Sequence, residues 1–308
     1  MAHQLTKAGI ACICLEAGPY IKPEDYSNDE WGAFLQMAWL DARGTSGTWR
    51  VNKDFPGLPS WIVKAVGGTT THWAGATPRF MDYEFRTRST YGDLKGANLL
   101  DWPITLKDME PYYDKAEKAI GSTHRHGRPP LPANNNYKVF ANGAERVGYQ
   151  FYATGPYGTN AEPYDGRPGS IQDGFNFQGD KNSSKWSTAV SEIPKALKTG
   201  LLDLRPQSHV VQITHDSSGL VDAVIYVDAN GDVQRQAAKV VCVAGNSIES
   251  PRLLLNSASD MFPNGLANSS DQVGRNYMRH MTGSVYARFE KEVNMYRGET
   301  MAGFIGDE

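Results

Sequence analysis

Two short apolar runs, far apart in the chain, have the pattern of buried strands in a parallel sheet. The first covers residues 10–16 and follows a turn at Gly9, and the second covers residues 239–244. Strands that are covered on both faces are continuously apolar, whereas half-exposed strands alternate. Both runs end in small residues, and the second leads directly into a helical segment. The pattern predicts an α/β nucleotide-binding sheet interrupted by large insertions.

Apolar and polar residues alternate along three consecutive stretches that begin at residues 202, 220 and 233. Such alternation is typical of strands with one buried face. Turn-forming residues separate the stretches at 217–219 and 230–231, and Asn-Gly is a strong signal for a tight hairpin turn. We therefore predict a three-stranded antiparallel meander ahead of the buried strand.

A clear helix start lies within residues 101–121. Pro103 precedes the helical pattern, Thr105 is suited to the N-cap, and Asp108 stands three residues further on. A hydroxyl and a carboxylate at this spacing can each accept a backbone N–H that the first helical turn leaves unpaired. We predict a helix that begins with this approximate capping box.

Two further helices are expected beside the predicted strands. Residues 187–200 have a helical pattern but contain Pro194, which should interrupt or kink the helix because proline lacks an N–H. Residues 247–257 follow the second buried run, with Ser247 as the candidate N-cap.

The remaining stretches are irregular. Residues 20–62 are rich in aromatic side chains and indicate short helices and long loops, whereas residues 122–185 are loop-rich in Gly, Pro and Asn. Residues 283–299 have the pattern of a strand that starts a new region.

Composition narrows the class of protein. With 308 residues, a formal net charge of −3, 40% hydrophobic and 21% charged residues, the chain suits a soluble globular protein of one or two domains. The near-neutral charge argues against nucleic acid as a partner, and no apolar run approaches a membrane span. The cysteines, Cys12, Cys14 and Cys242, lie in apolar runs and are interpreted as core residues.

Five stretches carry a family resemblance. They lie within residues 2–283 and are, in chain order, LEAGP, VGGTTTHWAGATPRF, DWPITLKDMEPYYDKAE, AGNSIESPRLLLNS and VGRNYMRH. Together they resemble the glucose-methanol-choline (GMC) family of FAD-dependent oxidoreductases. The resemblance is closest to its bacterial sugar and sugar-acid dehydrogenase branch, which includes gluconate 2-dehydrogenase flavoprotein subunits, and to pyranose 2-oxidase.

The resemblance implies a fold and a domain division. The fold would be α/β, with a Rossmann-like FAD-binding sheet, an antiparallel β-meander, large loop-rich insertions and an incomplete substrate domain. Residues 1–100 and 186–280 would form a discontinuous FAD-binding domain that lacks its first strand and Gly-rich turn. Residues 101–185 and 281–308 would form part of a substrate or cap region.

The resemblance also implies that the chain is truncated at both ends. The family's G-x-G-x-x-G fingerprint would precede residue 1, and its catalytic His would follow residue 308. No catalytic residue is therefore assigned within the chain, which alone is expected to lack the catalytic base.

Glu16 is the expected partner of the FAD ribose. A carboxylate at the carboxyl end of a parallel strand can accept both ribose hydroxyls and would repel a 2′-phosphate, which favours FAD or NAD over NADP. The alternative is an ordinary solvated strand end.

The Gly-rich stretch at 65–80 is the expected flavin-facing loop. Glycines let the backbone approach a ligand closely, and threonine hydroxyls and N–H groups can then meet pyrophosphate or flavin edges. The cofactor-binding residues expected in this loop are Gly67, Gly68, Thr69, Thr71, His72, Trp73 and Ala74.

Four roles are open to His72. A metal ligand or a hydrolase base is disfavoured, because the sequence offers neither a second ligand at suitable spacing nor a G-x-S-x-G elbow. A plain packed histidine is the third role. The fourth is covalent attachment of the flavin 8α-methyl group, since the Thr-His-Trp of pyranose oxidase carries its flavin on the corresponding histidine. A neutral imidazole nitrogen is a competent nucleophile.

The other expected cofactor contacts use the backbone. Val211, or Val210 beside it, would present its backbone to the adenine. Ala244 and Gly245 would form a strand-to-helix turn beside phosphate or flavin oxygens.

Three histidines and one loop complete the site predictions. The resemblance places His280 near the flavin, whereas His124 and His126 are interpreted as residues of a solvated polar loop.

The stretch at residues 164–185 holds no cysteine, whereas the corresponding stretch of several dehydrogenases of this branch is Cys-rich. Because iron–sulfur clusters need thiolates, no such cluster is expected in this loop, and no metal site is expected elsewhere.

The function implied is oxidation of a CH–OH group of a sugar, sugar acid or other alcohol by an FAD-dependent oxidoreductase, with hydride transfer to the flavin. The alternatives are an inactive truncated fragment, one piece of a split enzyme and, less favoured, an NAD-dependent dehydrogenase. The sequence leaves open oxidase or dehydrogenase, the electron acceptor, the oligomeric state and the compartment, cytoplasm or periplasm.

Overall fold

The computed structural model describes residues 1–26, 63–172, 174, 176, 179–278, 285–296, 298–299 and 303–306. The described helices are α1 (Ala2–Lys7), α2 (Thr87–Tyr91), α3 (Leu106–Ile120), α4 (Asn135–Val147), α5 (Glu192–Lys198) and α6 (Asn246–Asn256). The described strands are β1 (Cys12–Leu15), β2 (Tyr152–Ala153), β3 (Leu202–Arg205), β4 (His209–His215), β5 (Val221–Val227), β6 (Val233–Ala237) and β7 (Phe304–Ile305). Short 3-10 helices lie at Pro23–Asp25, Gly68–Thr71 and Asp82–Phe85.

The fold is mixed α/β, as predicted, and the chain divides into two compact units. Unit 1 comprises Met1–Lys22, Phe34–Thr69 and Glu192–Glu290, and unit 2 comprises Pro23–Ala33, Thr70–Ser191 and Lys291–Glu308. Most of the irregular stretch predicted at 20–62 lies outside the described residues, as does His280. No helix in the described ranges combines the length and the apolar character that crossing a membrane requires.

In unit 1, β1 pairs in parallel with β3, from Cys12 opposite Leu202 onwards. The predicted helix end, turn and strand are confirmed, because α1 leads through Gly9, with φ of +82°, into β1. The expected burial of this strand is wrong, since Ile10 and Ile13 are 51% and 42% exposed. Among the described strands β1 pairs with β3 alone, so its outward-facing side chains stay partly in solvent.

The predicted meander is confirmed as the antiparallel sheet β4-β5-β6. Its turns place Gly219 and Gly231 at φ of +84° and +88°, a conformation that glycine adopts without strain. The stretch from residue 202 differs from the prediction, because it forms two strands, of which β3 joins β1 and β4 joins the meander. One face of the meander packs around Ile213, Val224 and Leu266.

The buried strand predicted at 239–244 does not form in the structure. Val241 and Val243 pack against the core of the meander, while Val240 is 77% exposed and Cys242 is exposed. An extended segment becomes a strand only beside a hydrogen-bonding neighbour, and none of the described strands pairs with it. The prediction of Cys242 as a core residue is wrong for the same reason, whereas Cys12 and Cys14 are half-buried.

In unit 2, the predicted capping box starts α3. Thr105 Oγ1 accepts the N–H of Asp108 at 3.3 Å, and Asp108 Oδ2 accepts the N–H of Thr105 at 2.9 Å. Gly121, with φ of +81°, ends the helix. The local signals therefore set both boundaries.

A second helix of unit 2, α4, corrects the prediction that 122–185 is loop throughout. Asn134 Oδ1 accepts the N–H of Tyr137 at 2.8 Å, and Gly148, with φ of +95°, ends the helix. The Asn and Gly that suggested a loop are the N-cap and the C-terminal stop of a helix.

The helices of unit 1 begin at different residues from those predicted. Helix α5 starts at Glu192 and places Pro194 in its first turn, where a missing N–H is tolerated, so the proline does not kink it. Helix α6 begins at Asn246, so that Gly245 and not Ser247 holds the N-cap position, and Asn246 Oδ1 accepts the N–H groups of Ile248 and Glu249 at 2.8 and 3.0 Å.

The strand predicted at 283–299 is also corrected. The described part of that stretch is irregular, with Val285 and Tyr286 at 97% and 93% exposure. The strand in this part of the chain is β7, which pairs antiparallel with β2 in unit 2.

Candidate cofactor site

Glu16 lies directly after β1 in unit 1, and its side chain is held inward. Its carboxylate Oε1 accepts the N–H of Gly18 at 2.8 Å, and its carbonyl accepts the N–H of Ser208 at 2.8 Å. Burial raises the pKa of the Glu16 carboxyl to about 7, against the opposing effects of the Gly18 N–H and the positive charge of Lys64. The Glu16 side chain is therefore half-buried at the end of the strand.

The LEAGP stretch touches the start of the Gly-rich loop. A Cβ on Gly18 would stand 1.8 Å from the carbonyl oxygen of Lys64, so the two backbones are in direct contact. The N–H of Val66 donates to the carbonyl of Pro19 at 2.9 Å, and Val66 is 2% exposed. Glu16 and residues 64–68 therefore form one cluster of unit 1.

Two glycines of this cluster have backbone conformations that disfavour other residues. Gly67 and Gly68 have φ of +100° and +53°. A Cβ on Gly68 would meet no heavy atom within 4 Å, so the space beside its backbone is open. Thr69, the last residue of the loop in unit 1, is exposed.

Charged groups of β4 and α6 complete the surroundings of Glu16. Burial lowers the pKa of His209, with further lowering by Lys64 and Arg252 and an opposing effect of Glu249. The start of β4, the first turns of α6 and Lys64 are therefore within electrostatic reach of one another. Ala244 and Gly245, which precede α6, are exposed.

Val211 lies at an irregularity of β4. Val210 pairs with Tyr226 and Gln212 with Ile225, so Val211 is the extra residue of a bulge. The N–H of Ile213, further along β4, donates to Ser257 Oγ at 2.9 Å. Of the two valines predicted to face the adenine, Val211 is the one in the bulge, and it is 38% exposed.

In unit 2, the continuation of the Gly-rich loop is firmly held. Thr71 and His72 are 2% and 3% exposed, and Ala74 is half-buried. Trp73 Nε1 donates to the carbonyl of Trp186 at 2.8 Å, and the two indole rings meet edge to face with centroids 5.9 Å apart.

His72 is a neutral imidazole at neutral pH. Burial, followed by the positive charge of Lys185, lowers the pKa of His72 to about 4. A buried neutral imidazole suits both roles that the sequence left open, a packed core residue and a nucleophile for flavin attachment.

Sequence reasoning missed Lys185, a buried cation beside this loop. Its ammonium group donates to the carbonyls of Trp73 and Asn176 at 2.8 and 2.5 Å, and the residue is 3% exposed. Its carboxylate neighbours are Asp180 and Glu299. The stretch DKNSSKW gives no local signal for this burial, because the partners of the ammonium lie elsewhere in the chain.

An ionic cluster elsewhere in unit 2 was also missed. Arg79 binds Asp114 and Glu117, and His126 Nε2 lies 2.9 Å from Glu117 Oε2. His126 is exposed in its loop, as expected, and its ring also lies against Glu117. His124 is exposed, as expected. Ligand-type atoms of Asp114, Glu117 and His126 lie within 4.8 Å of one another, but the Arg79 guanidinium already hydrogen-bonds both carboxylates.

Comparisons with known proteins show the family to which the chain belongs. Residues 61–282 match the family described as GMC oxidoreductase. The chain is 31% identical over 299 residues to a 2-methyl-1,2-propanediol dehydrogenase of Mycolicibacterium austroafricanum, covering 90% of this chain and 52% of that protein. It is 28% identical over 311 residues to the fructose dehydrogenase large subunit of Gluconobacter japonicus, covering 91% and 56% respectively.

A further relative is a gluconate 2-dehydrogenase flavoprotein of Pantoea cypripedii, 26% identical over 367 aligned positions, which cover 100% of this chain and 58% of that protein. The chain spans about half the length of the relatives it matches. GMC oxidoreductases are FAD-binding flavoproteins. Because the family match covers well over half of its residues, the chain belongs to the GMC oxidoreductase family.

Proposed function

We propose that this chain is the FAD-binding part of a GMC oxidoreductase that oxidises a CH–OH group of an alcohol, sugar or sugar acid. The observation that carries the proposal is the cluster of unit 1 in which the half-buried Glu16 carboxylate accepts the N–H of Gly18 and Gly18 in turn contacts the backbone of Lys64, at the start of the Gly-rich loop. A carboxylate at the end of a parallel strand, next to positive-φ glycines, matches the ribose and pyrophosphate of a dinucleotide.

The residues of unit 1 suit distinct parts of FAD. Glu16 would accept ribose hydroxyls, and the backbone of Val211 would contact the adenine. The backbones of Gly67, Gly68 and Gly245 would lie beside pyrophosphate or flavin oxygens, because no side chain blocks their approach. When bound, FAD supplies hydride acceptance at its flavin ring, and the protein supplies placement.

The residues of unit 2 suit the flavin side of the same loop. We place Thr71, His72, Trp73 and Ala74 beside the flavin ring. Covalent attachment at His72 would replace a C–H bond of the flavin 8α-methyl group by a C–N bond, with the two electrons passing to the oxidised flavin itself and the protons to solvent. Burial keeps the imidazole neutral, and a neutral ring nitrogen has the lone pair that attachment needs. A packed histidine without a covalent bond is the alternative that the experiment below separates.

The substrate class rests on the relatives. Those compared are named for oxidising a diol, fructose and gluconate, which supports an alcohol or sugar and, more narrowly, the sugar and sugar-acid dehydrogenase branch. In this proposal the FAD-binding domain comprises residues 1–100 and 186–280. The 164–185 loop would hold no iron–sulfur cluster, because it has no thiolate to offer.

FAD binding tests the proposal directly. Purified chain is titrated with FAD and, separately, with NAD by calorimetry, and Glu16→Ala is compared with Glu145→Ala, which removes an exposed carboxylate of α4. We expect FAD to bind the unaltered chain and Glu145→Ala equally, with at least about tenfold weaker binding to Glu16→Ala, since a charge-assisted hydrogen bond contributes about 1.5–3 kcal/mol. Equal affinity of both variants, or preference for NAD, would contradict the proposal.

Acid precipitation tests the covalent bond. FAD-loaded chain is denatured in acid and the pellet is examined for flavin absorbance, with His72→Gln as the comparison. Yellow colour in the pellet of the unaltered chain only is expected. Colour that stays in solution for both would leave His72 as a packed residue and would not affect the test of Glu16.

A further inference from the structure

Lys185 is a buried cation of unit 2 that the proposed function does not use. Its ammonium group lies 2.8 Å from the carbonyl oxygen of Trp73 and 2.5 Å from that of Asn176. Its backbone N–H donates to Asp180 Oδ2 at 2.5 Å, and its backbone forms a bridge with Thr159. Both ends of the residue are thus fixed, and one of them holds the backbone of the residue that follows His72.

Burial of an ammonium group is unfavourable unless it is paired and hydrogen-bonded. Lys185 is 3% exposed, and the carboxylates that favour its charged form, Asp180 and Glu299, are themselves 4% and 7% exposed. An apolar side chain of similar length could fill such a space without any desolvation penalty. A charge retained here therefore suggests a role beyond packing.

The same ammonium group acts electrostatically on His72. Its charge disfavours the protonated imidazole, in the same direction as burial. Lys185 has its own pKa lowered to about 7 by burial, against the effects of Asp180 and Glu299. It is consequently cationic throughout the acidic range in which His72 would take up a proton.

We propose that Lys185 is a positioning residue for His72: it anchors the carbonyl of Trp73 and sets a positive charge within reach of the imidazole, so that His72 is held in place as a neutral ring. The proposal rests on the proposed function of His72 in flavin attachment. It adds a residue that acts through the histidine and does not itself contact the cofactor.

Four substitutions separate the parts of this role. Lys185→Met removes both the charge and the donors, Lys185→Gln removes the charge but keeps an N–H donor, and Lys185→Arg keeps both. Lys181→Met is the matched control, because Lys181 is an exposed lysine of the same loop. Lys185→Gln also serves where Lys185→Met does not fold.

The deciding measurement is the protonation of His72, followed by NMR on chain with isotope-labelled histidine and assigned with His72→Gln. It needs no cofactor. We expect the pKa of His72 to rise from about 4 towards its ordinary value of 6.5 in Lys185→Met and Lys185→Gln, and to stay low in Lys185→Arg and Lys181→Met. A His72 pKa unchanged in a folded Lys185→Met or Lys185→Gln chain would overturn the proposal.

Flavin attachment is the second measurement. In Lys185→Met, acid-stable flavin incorporation should fall at acidic pH values at which the unaltered chain still incorporates flavin, because His72 would then be protonated and would have no lone pair to offer. Lys185→Arg should restore incorporation at those pH values. A purely structural lysine would lower incorporation equally at every pH, which would contradict the proposal. Should the unaltered chain bind FAD without a covalent bond, attachment at His72 fails, while the NMR titration still decides the role of Lys185.

Discussion

The guanidinium of Arg79 donates two hydrogen bonds to the carboxylate of Glu117, from Nε to Oε1 at 2.7 Å and from Nη2 to Oε2 at 2.6 Å. The Glu117 side chain is 5% exposed. Burial alone would raise the pKa of Glu117, but hydrogen bonds from Arg79 and His126 outweigh it and hold the pKa below the ordinary value. This pair joins helix α3 to Arg79, near the end of the 65–80 loop.

Arg79→Met should lower the free energy of unfolding by about 3 kcal/mol, because it leaves the buried Glu117 carboxylate without its main partner. Arg79→Lys should lose less, since the charge remains but the bidentate geometry does not. Urea unfolding at pH 7 measures both. Arg86→Met, which breaks an exposed pair with Asp82 at 3.6 Å, should change the free energy by no more than about 0.5 kcal/mol. Similar decreases in the free energy of unfolding for Arg79→Met and Arg86→Met would show that the pair of Arg79 and Glu117 contributes no more than an exposed ion pair.

Glu16 should make the cofactor-free chain less stable as the pH rises. Its folded pKa of about 7 lies above the ordinary 4.5, so the folded state binds the extra proton between these values. The contribution of the protonated Glu16 carboxyl to the free energy of unfolding is complete below pH 4.5 and is lost as the pH rises through 7. Glu16→Gln should therefore match the unaltered chain near pH 4 and exceed it by about 1–3 kcal/mol near pH 8.

Thermal or urea unfolding across this pH range gives the check, with Glu145→Gln as the exposed control. A stability difference between Glu16→Gln and the unaltered chain that does not vary with pH would show that the Glu16 carboxyl titrates normally.

Gly18→Ala should be strongly destabilising. The added Cβ would stand 1.8 Å from the Lys64 carbonyl oxygen, and backbone atoms on both sides must move to admit it, which we expect to cost about 3 kcal/mol or more. Gly143→Ala, inside α4 with no atom within 4 Å of the new Cβ, should instead gain about 0.5–1 kcal/mol. Circular dichroism during urea unfolding distinguishes the two, and a well-tolerated Gly18→Ala would mean that the two backbones do not touch.

Thr105→Ala should shorten or fray the start of α3. The hydroxyl that accepts the Asp108 N–H is lost, at an expected cost of about 1 kcal/mol. Thr105→Ser keeps the hydroxyl and should behave like the unaltered chain. Hydrogen exchange of the first-turn amides resolves the effect, and equal protection in the two variants would argue against the cap.

Features set by neighbouring residues were predictable from the sequence. The capping box of Thr105 and Asp108, and the meander turns at Gly219 and Gly231, each depend on a few consecutive positions. Helix α4 depends on equally local signals, but its Asn134 cap stands in an Asn-rich stretch that is also typical of loops.

Features set by distant partners were not predictable. Residues 239–244 have strand-like composition, yet a strand also needs a neighbour, and none of the described strands provides one. Lys185 is 112 residues from Trp73 in the chain, so the burial of its ammonium group depends on tertiary contacts that no local pattern encodes. The bulge at Val211 likewise depends on how β4 registers with β5.

The edge-to-face pair of Trp73 and Trp186 is an intrinsic optical reporter for the Gly-rich loop at residues 65–80, which contains Trp73. Two indoles held 5.9 Å apart at a fixed angle couple their electronic transitions, and they lie in the segment where a flavin, which absorbs in the range of tryptophan emission, is proposed to bind. Near-ultraviolet circular dichroism would follow the ordering of the loop without a label. Quenching of indole fluorescence on addition of FAD would then record occupancy in the same sample.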